Sequence, residues 1–199
     1  MEKGARTPAD LATAYNGAMK KRVPFHLLIP VMIAVAAPAN AGEPSREAVI
    51  ALLQGYEWEI DRPAFEALGA EADTLLLTLA GDENESKLIR ARAAAVLSIY
   101  PTDEVWGFYL SRLNDSAAPV QRRRAVDALC HAFAGARAGD LIAVLAPVLT
   151  ADDVHLRTRA ATCLQSLPED QAAASLQAYR QGITDAWELR AAGFTEHHR

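Results

Sequence analysis

Four short segments of this chain repeat an arginine–alanine pattern at a near-constant interval, and that periodicity narrows the folds open to it more than any other feature. They read LIRARAAAVL (88–97), QRRRAVDAL (121–129), HLRTRAATCL (155–164) and ELRAAGF (188–194). Aligned on one arginine, they place Arg90, Arg122, Arg157 and Arg190 in register, with steps of 32, 35 and 33 residues. Upstream of each lies a second apolar pattern at helical spacing: Leu75, Leu76 and Leu79; Val105, Phe108, Tyr109 and Leu113; Leu141, Val144, Leu145 and Val148; Leu176, Tyr179 and Ile183. A unit this short cannot bury its apolar face alone and must stack on its neighbours. Each unit therefore predicts a helix A, a polar turn and a helix B.

The intervening segments support the break. GDENES (81–86), NDSAAP (114–119), TADD (150–153) and TDA (184–186) are rich in residues that favour turns and helix starts. Thr150, with Asp153 three residues on, resembles a capping box. Pro119 suits the first position of a helix, where its missing amide costs little. Strand signals are almost absent. Residues 44–70 read as a divergent first unit, with REAVIALLQGYEW followed by DRPAFEALG. About five units result, and the outer two serve as caps.

A variable helix A, an aspartate in the turn and a helix B of the form (V/L)R-x-x-AA-x-x-L resemble bacterial HEAT repeats. LRTRAATCL at 156–164 and IRARAAAVL at 89–97 carry the pattern best. The likeness is clear over roughly 73–195 and weak over 44–72. Tetratricopeptide repeats have a similar period, but their Trp, Leu-Gly, Tyr and Pro signature is missing. The resemblance implies an all-α fold, a short right-handed α-solenoid of about five helix-turn-helix repeats over 42–195. It also implies a ladder of hydrogen bonds between turn aspartates (Asp82, Asp115, Asp152 or Asp153, Asp185) and the helix B arginines.

The N-terminal region reads differently. Lys20, Lys21 and Arg22 precede an apolar run from Val23 to Ala37, which ends in Ala39-Asn40-Ala41. A basic start, a short apolar stretch and a small-x-small site make a secretory signal over 19–41, cleaved between Ala41 and Gly42. The run is shorter than the about 20 residues a spanning helix needs and contains two prolines and a histidine, so no stable membrane span is expected after cleavage. Residues 1–18 then read as an artefact of the assigned start, and 196–199 as a disordered tail. The expected location is periplasmic or secreted.

Without residues 1–41 the chain holds 15 basic and 23 acidic residues, a net −8. That balance argues against a general nucleic-acid binder, which needs a basic face. There is no Gly-x-Ser-x-Gly elbow, His-Glu-x-x-His, phosphate-cradling glycine loop or Cys-x-x-Cys. No enzymatic activity and no cofactor are expected. A protein partner is expected instead, bound along the repeat surface by a scaffold or adaptor. The other readings are a HEAT-like cofactor-attachment factor or enzyme, which a pocket among Glu57, Glu59 and Asp61 would favour, and a structural module of the envelope.

The candidate partner-binding residues are Arg90, Arg122, Arg123, Arg124, Arg157 and Arg190, since guanidinium grips carboxylates in a fork. The extra Arg123 marks the third unit as the place where binding departs from a purely structural ladder. Asp152, Asp153 and His155 are read as turn and cap residues rather than metal ligands. Cys163 takes the register position of Ala128, and Cys130 lies two residues beyond it, about 200° round the helix axis. On that register the cysteines do not stack. They are read as core residues, bridged only if the units are displaced.

Overall fold

A computed structural model describes residues 44–194, and these are all-helical, with no strand among them. The leader, its cleavage residues Ala39, Ala41 and Gly42, and the tail at 196–199 lie outside the described residues. The helices are α1 (Arg46–Leu53), α2 (Arg62–Glu66), α3 (Ala72–Gly81), α4 (Lys87–Val96), α5 (Asp103–Asn114), α6 (Pro119–Phe133), α7 (Ala138–Leu145), α8 (Val154–Gln165), α9 (Glu169–Gly182) and α10 (Ala186–Ala191). Tight 3₁₀ turns extend α4 through Leu97–Ile99 and follow α7 at Pro147–Thr150.

Local chemistry sets the helix starts. Ser45, Asp61, Ser86, Thr102, Asp153 and Asp185 each accept a hydrogen bond from a first-turn amide, satisfying donors that have no partner inside the helix. Pro119 opens α6 as its position predicts. The capping box at Thr150 does not form. Asp153 itself caps α8 through the amides of His155 and Leu156, while Thr150 closes the preceding turn on the Pro147 carbonyl. Asp153 is the residue next to the helix, so its carboxylate reaches the free amides that Thr150 would have to span a full turn to meet. After α1 the chain turns through Gly55 at φ 112°, a left-handed conformation that other residues adopt only with strain.

Consecutive helices fold back on each other: α3 on α4, α5 on α6, and α7 with its 3₁₀ turn on α8. Apolar residues at helical spacing meet inside. Leu76, Leu79, Val96, Leu97, Leu129, Phe133, Leu141, Leu145, Leu156 and Leu164 are fully or almost fully buried. Trp106 sets its ring edge-on to Phe133 at 5.0 Å. Full burial of a side chain of this size stabilises by about 1.5–3 kcal/mol, so α6 and α8, with several each, anchor the core.

The two cysteines are bridged, contrary to the register expectation. Cys130 of α6 and Cys163 of α8 form a disulfide with Cα atoms 5.8 Å apart. When helices lie side by side, the flank of one that looks toward its neighbour meets the opposite flank of that neighbour. An offset near half a turn of the axis therefore brings two residues together, whereas identical register positions point the same way.

Candidate functional site

The B helices carry the arginines, and their neighbours divide them into two groups. Arg122 donates through Nε to the Leu113 carbonyl at 2.8 Å, holding the end of α5. Arg123 donates through Nε to Asp153 at 2.7 Å and so links α6 to the start of α8. Arg157 forks onto Glu188 of α10 at 2.9 Å for each bond and also donates to the Ala151 and Asp152 carbonyls. Arg92 donates to the Leu53 and Gly55 carbonyls at the end of α1, with its guanidinium 5.0 Å from the Trp58 ring. The side chains of Arg90, Arg124 and Arg190 make no hydrogen bond or ion pair among the described residues.

The turn aspartates do not pair with the arginine row aligned on Arg90. Asp82 accepts from Arg46 of α1, and Asp153 from Arg123, each across a junction between hairpins. Asp115 and Asp185 accept only from amides just beyond them in the chain. The hydrogen bond from the Asn84 amide, supported by Arg46, lowers the Asp82 carboxyl below its ordinary range. At Asp153 burial works against the charge, but Arg123 and the Leu156 amide outweigh it and also lower the carboxyl.

Arg90 and Arg124 line one groove of about 750 Å³ between α4 and α6. Its walls are small: Ala91, Ala94 and Ala95 on one side, Ala125 and Ala128 on the other. The buried Tyr109 of α5 lies beneath, its hydroxyl donating to the Ala94 carbonyl at 2.6 Å; burial raises its phenol well above the usual range. Arg112 also lines the groove, held by Gln121 at 2.8 Å and stacked 5.1 Å from the Phe108 ring. Val120 and Ile60 leave apolar surface exposed at the groove. The lining carries four cationic side chains, Lys87, Arg90, Arg112 and Arg124, one histidine, His131, and one carboxylate, Asp127, already paired with Arg159 of α8. Desolvation raises the Asp127 carboxyl, with Arg159 pulling the other way.

A second cavity, of about 510 Å³, lies beside Arg157, Tyr179 and Glu188. Arg157, Tyr179 and Glu188 are spent on one another. The Tyr179 hydroxyl donates to Glu188 Oε1 at 2.7 Å, and the Arg157 fork takes the same carboxylate. The Arg157 hydrogen bond holds Glu188 below the ordinary glutamate range against the cost of burial. This arrangement ties α8, α9 and α10 together.

Of the six candidate arginines, then, only Arg90 and Arg124 share an open site. Arg122, Arg123 and Arg157 bind the protein itself, and Arg190 is exposed at the far end. Asp61 of the acidic trio caps α2, and Glu57 and Glu59 flank Trp58 on an exposed stretch without lining either cavity. Sequence reading passed over Lys87, Arg112 and Val120. The signal for them was composition: α4, KLIRARAAAV, has no carboxylate with which to answer the arginines of α6. The chain matches no protein-family model, no curated protein and no solved structure. No described helix is long and apolar enough to cross a membrane.

Proposed function

We propose that this chain is an exported HEAT-like α-solenoid that binds another protein through the groove between α4 and α6, as a scaffold or adaptor. The observation that carries the reading is the open groove itself, with two unpaired guanidiniums, in a chain whose next junction is closed by a disulfide and ion pairs. Helix hairpins that stack side by side create extended surfaces of this kind. The Cys130–Cys163 bridge fits the oxidising compartment to which a signal at 19–41 would deliver the chain. No cofactor, catalytic step or nucleic acid enters this reading.

Site-specific photo-cross-linking in the native host tests it. A cross-linker at Val120, on the groove, is compared with one at Ala143, exposed on α7. One envelope protein captured from Val120 and lost with Arg124→Glu is the expected result. Identical capture at both positions, or capture unaffected by Arg124→Glu, would overturn the reading.

A further inference from the structure

The chemistry of the groove also points to what occupies it. Resting on the reading above, we propose that the α4/α6 groove receives an acidic segment of the partner, with one carboxylate held by Arg90 and another by Arg124. One arginine comes from each wall, and neither guanidinium has a hydrogen-bonding partner among the described residues. Guanidinium and carboxylate match as planar forks, so each free arginine defines a place for one acid.

Charge separates this groove from the chain that contains it. Its lining is net positive, four lysine and arginine side chains against one paired carboxylate, while residues 42–199 together are net −8. The local basic charge of the groove favours an acidic segment there. A long polyanion would be opposed by the net negative charge of residues 42–199 as a whole, which disfavours nucleic acid despite the local basic charge. The alanine walls leave room for an inserted main chain to come close, and exposed Val120 and Ile60 offer apolar contact to side chains between the acids. The site thus takes carboxylates interspersed with apolar residues, rather than a bare anion.

Fluorescence anisotropy with the full, disulfide-intact chain decides the matter. The probes are a labelled peptide of alternating Glu, Ala and Leu, the same peptide with Gln for every Glu, and a single-stranded oligothymidylate of equal length. The Glu peptide is expected to bind about tenfold or more tightly than the Gln peptide, and to weaken about tenfold in the Arg90→Ala/Arg124→Ala variant. Thermal melts of that variant should match the parent, since neither side chain holds another residue. Equal binding of the two peptides, binding of neither, tighter binding of the oligothymidylate, or full affinity in the double variant would each overturn the proposal. A partner cross-linked at Val120 through a segment without carboxylates would overturn it too, while leaving the scaffold reading intact. Failure of capture at Val120 alongside selective Glu-peptide binding would instead overturn the scaffold reading.

Discussion

Helix α6 meets two neighbouring B helices in opposite ways. Toward α8 it is closed: the Cys130–Cys163 bridge, the Arg123–Asp153 pair and the Arg159–Asp127 pair all cross the junction. Toward α4 it leaves a groove, basic on both walls and lined also by Tyr109 of α5, whose hydroxyl donates to the Ala94 carbonyl of α4. The two junctions arise from similar arginine–alanine helices, so the repeat pattern alone does not decide which one closes. Acid placement does. Asp127 and Asp153 supply partners at the α6/α8 junction, and α4 supplies none. An arginine facing an acid-free neighbour stays free for something else.

The largest way to break this contrast is to cut the staple. Replacing both Cys130 and Cys163 with serine should cost about 2–4 kcal/mol in urea unfolding, while Glu-peptide binding at the α4/α6 groove stays within about twofold. Loss of binding in proportion to stability would show that the two junctions are one unit.

Packing provides the next test. Ala160 is fully buried in α8, whereas Ala95 stands exposed on the groove wall. Ala160→Leu should destabilise by about 1–3 kcal/mol through overpacking; Ala95→Leu should change stability by less than about 0.5 kcal/mol and weaken peptide binding by occupying the groove. Equal costs in thermal melts would mean the groove is closed in solution.

Charge at the closed end gives a smaller, pH-dependent effect. The carboxyl of Glu188 is lowered by Arg157, so its contribution is fully present above the ordinary glutamate range near 4.3 and is lost as pH falls through the lower folded value. Glu188→Gln should therefore remove about 1.5 kcal/mol at neutral pH and flatten the acid limb of a stability–pH curve. Asp127 acts with the opposite sign, because its raised carboxyl is relieved as pH falls. An unchanged acid limb in Glu188→Gln would show that the Arg157 fork does not hold the α8–α10 end.

The smallest effect belongs to the open side. Arg123→Ala should cost up to about 1 kcal/mol, the usual range for a partly exposed pair, and Arg124→Ala nothing measurable. A chemical-denaturation comparison of these adjacent variants tests the division directly.

Much of the helical layout was readable in advance, because periodic leucines, alanines and cap residues act through local spacing. Leu76, Leu79, Leu141 and Leu145 are buried on the predicted faces, and Pro119 and Asp185 sit at helix starts. What resisted reading lies between helices. Register places a side chain on a flank of its own helix but does not say which flank the neighbour presents. That is why Cys130 and Cys163 looked misaligned and are bonded. The same gap hid the division of the arginines: Arg123 and Arg124 are adjacent in sequence, and one reaches Asp153 while the other faces an alanine wall. Nor does register place Arg92 at the end of α1, whose carbonyls it meets across 39 and 37 residues of sequence.

The disulfide also sets how the chain would carry load. Cys130 and Cys163 are 33 residues apart, and α7 lies wholly within the loop they close. Tension applied at the two ends of the chain runs through the sulfur–sulfur bond and bypasses that loop. At about 3.4 Å per residue, roughly 110 Å of contour length stays out of reach however hard the chain is drawn. α7 and the turn after it are thus mechanically silent: a tether attached there would feel the pull only through the helices packed against it, never along its own backbone.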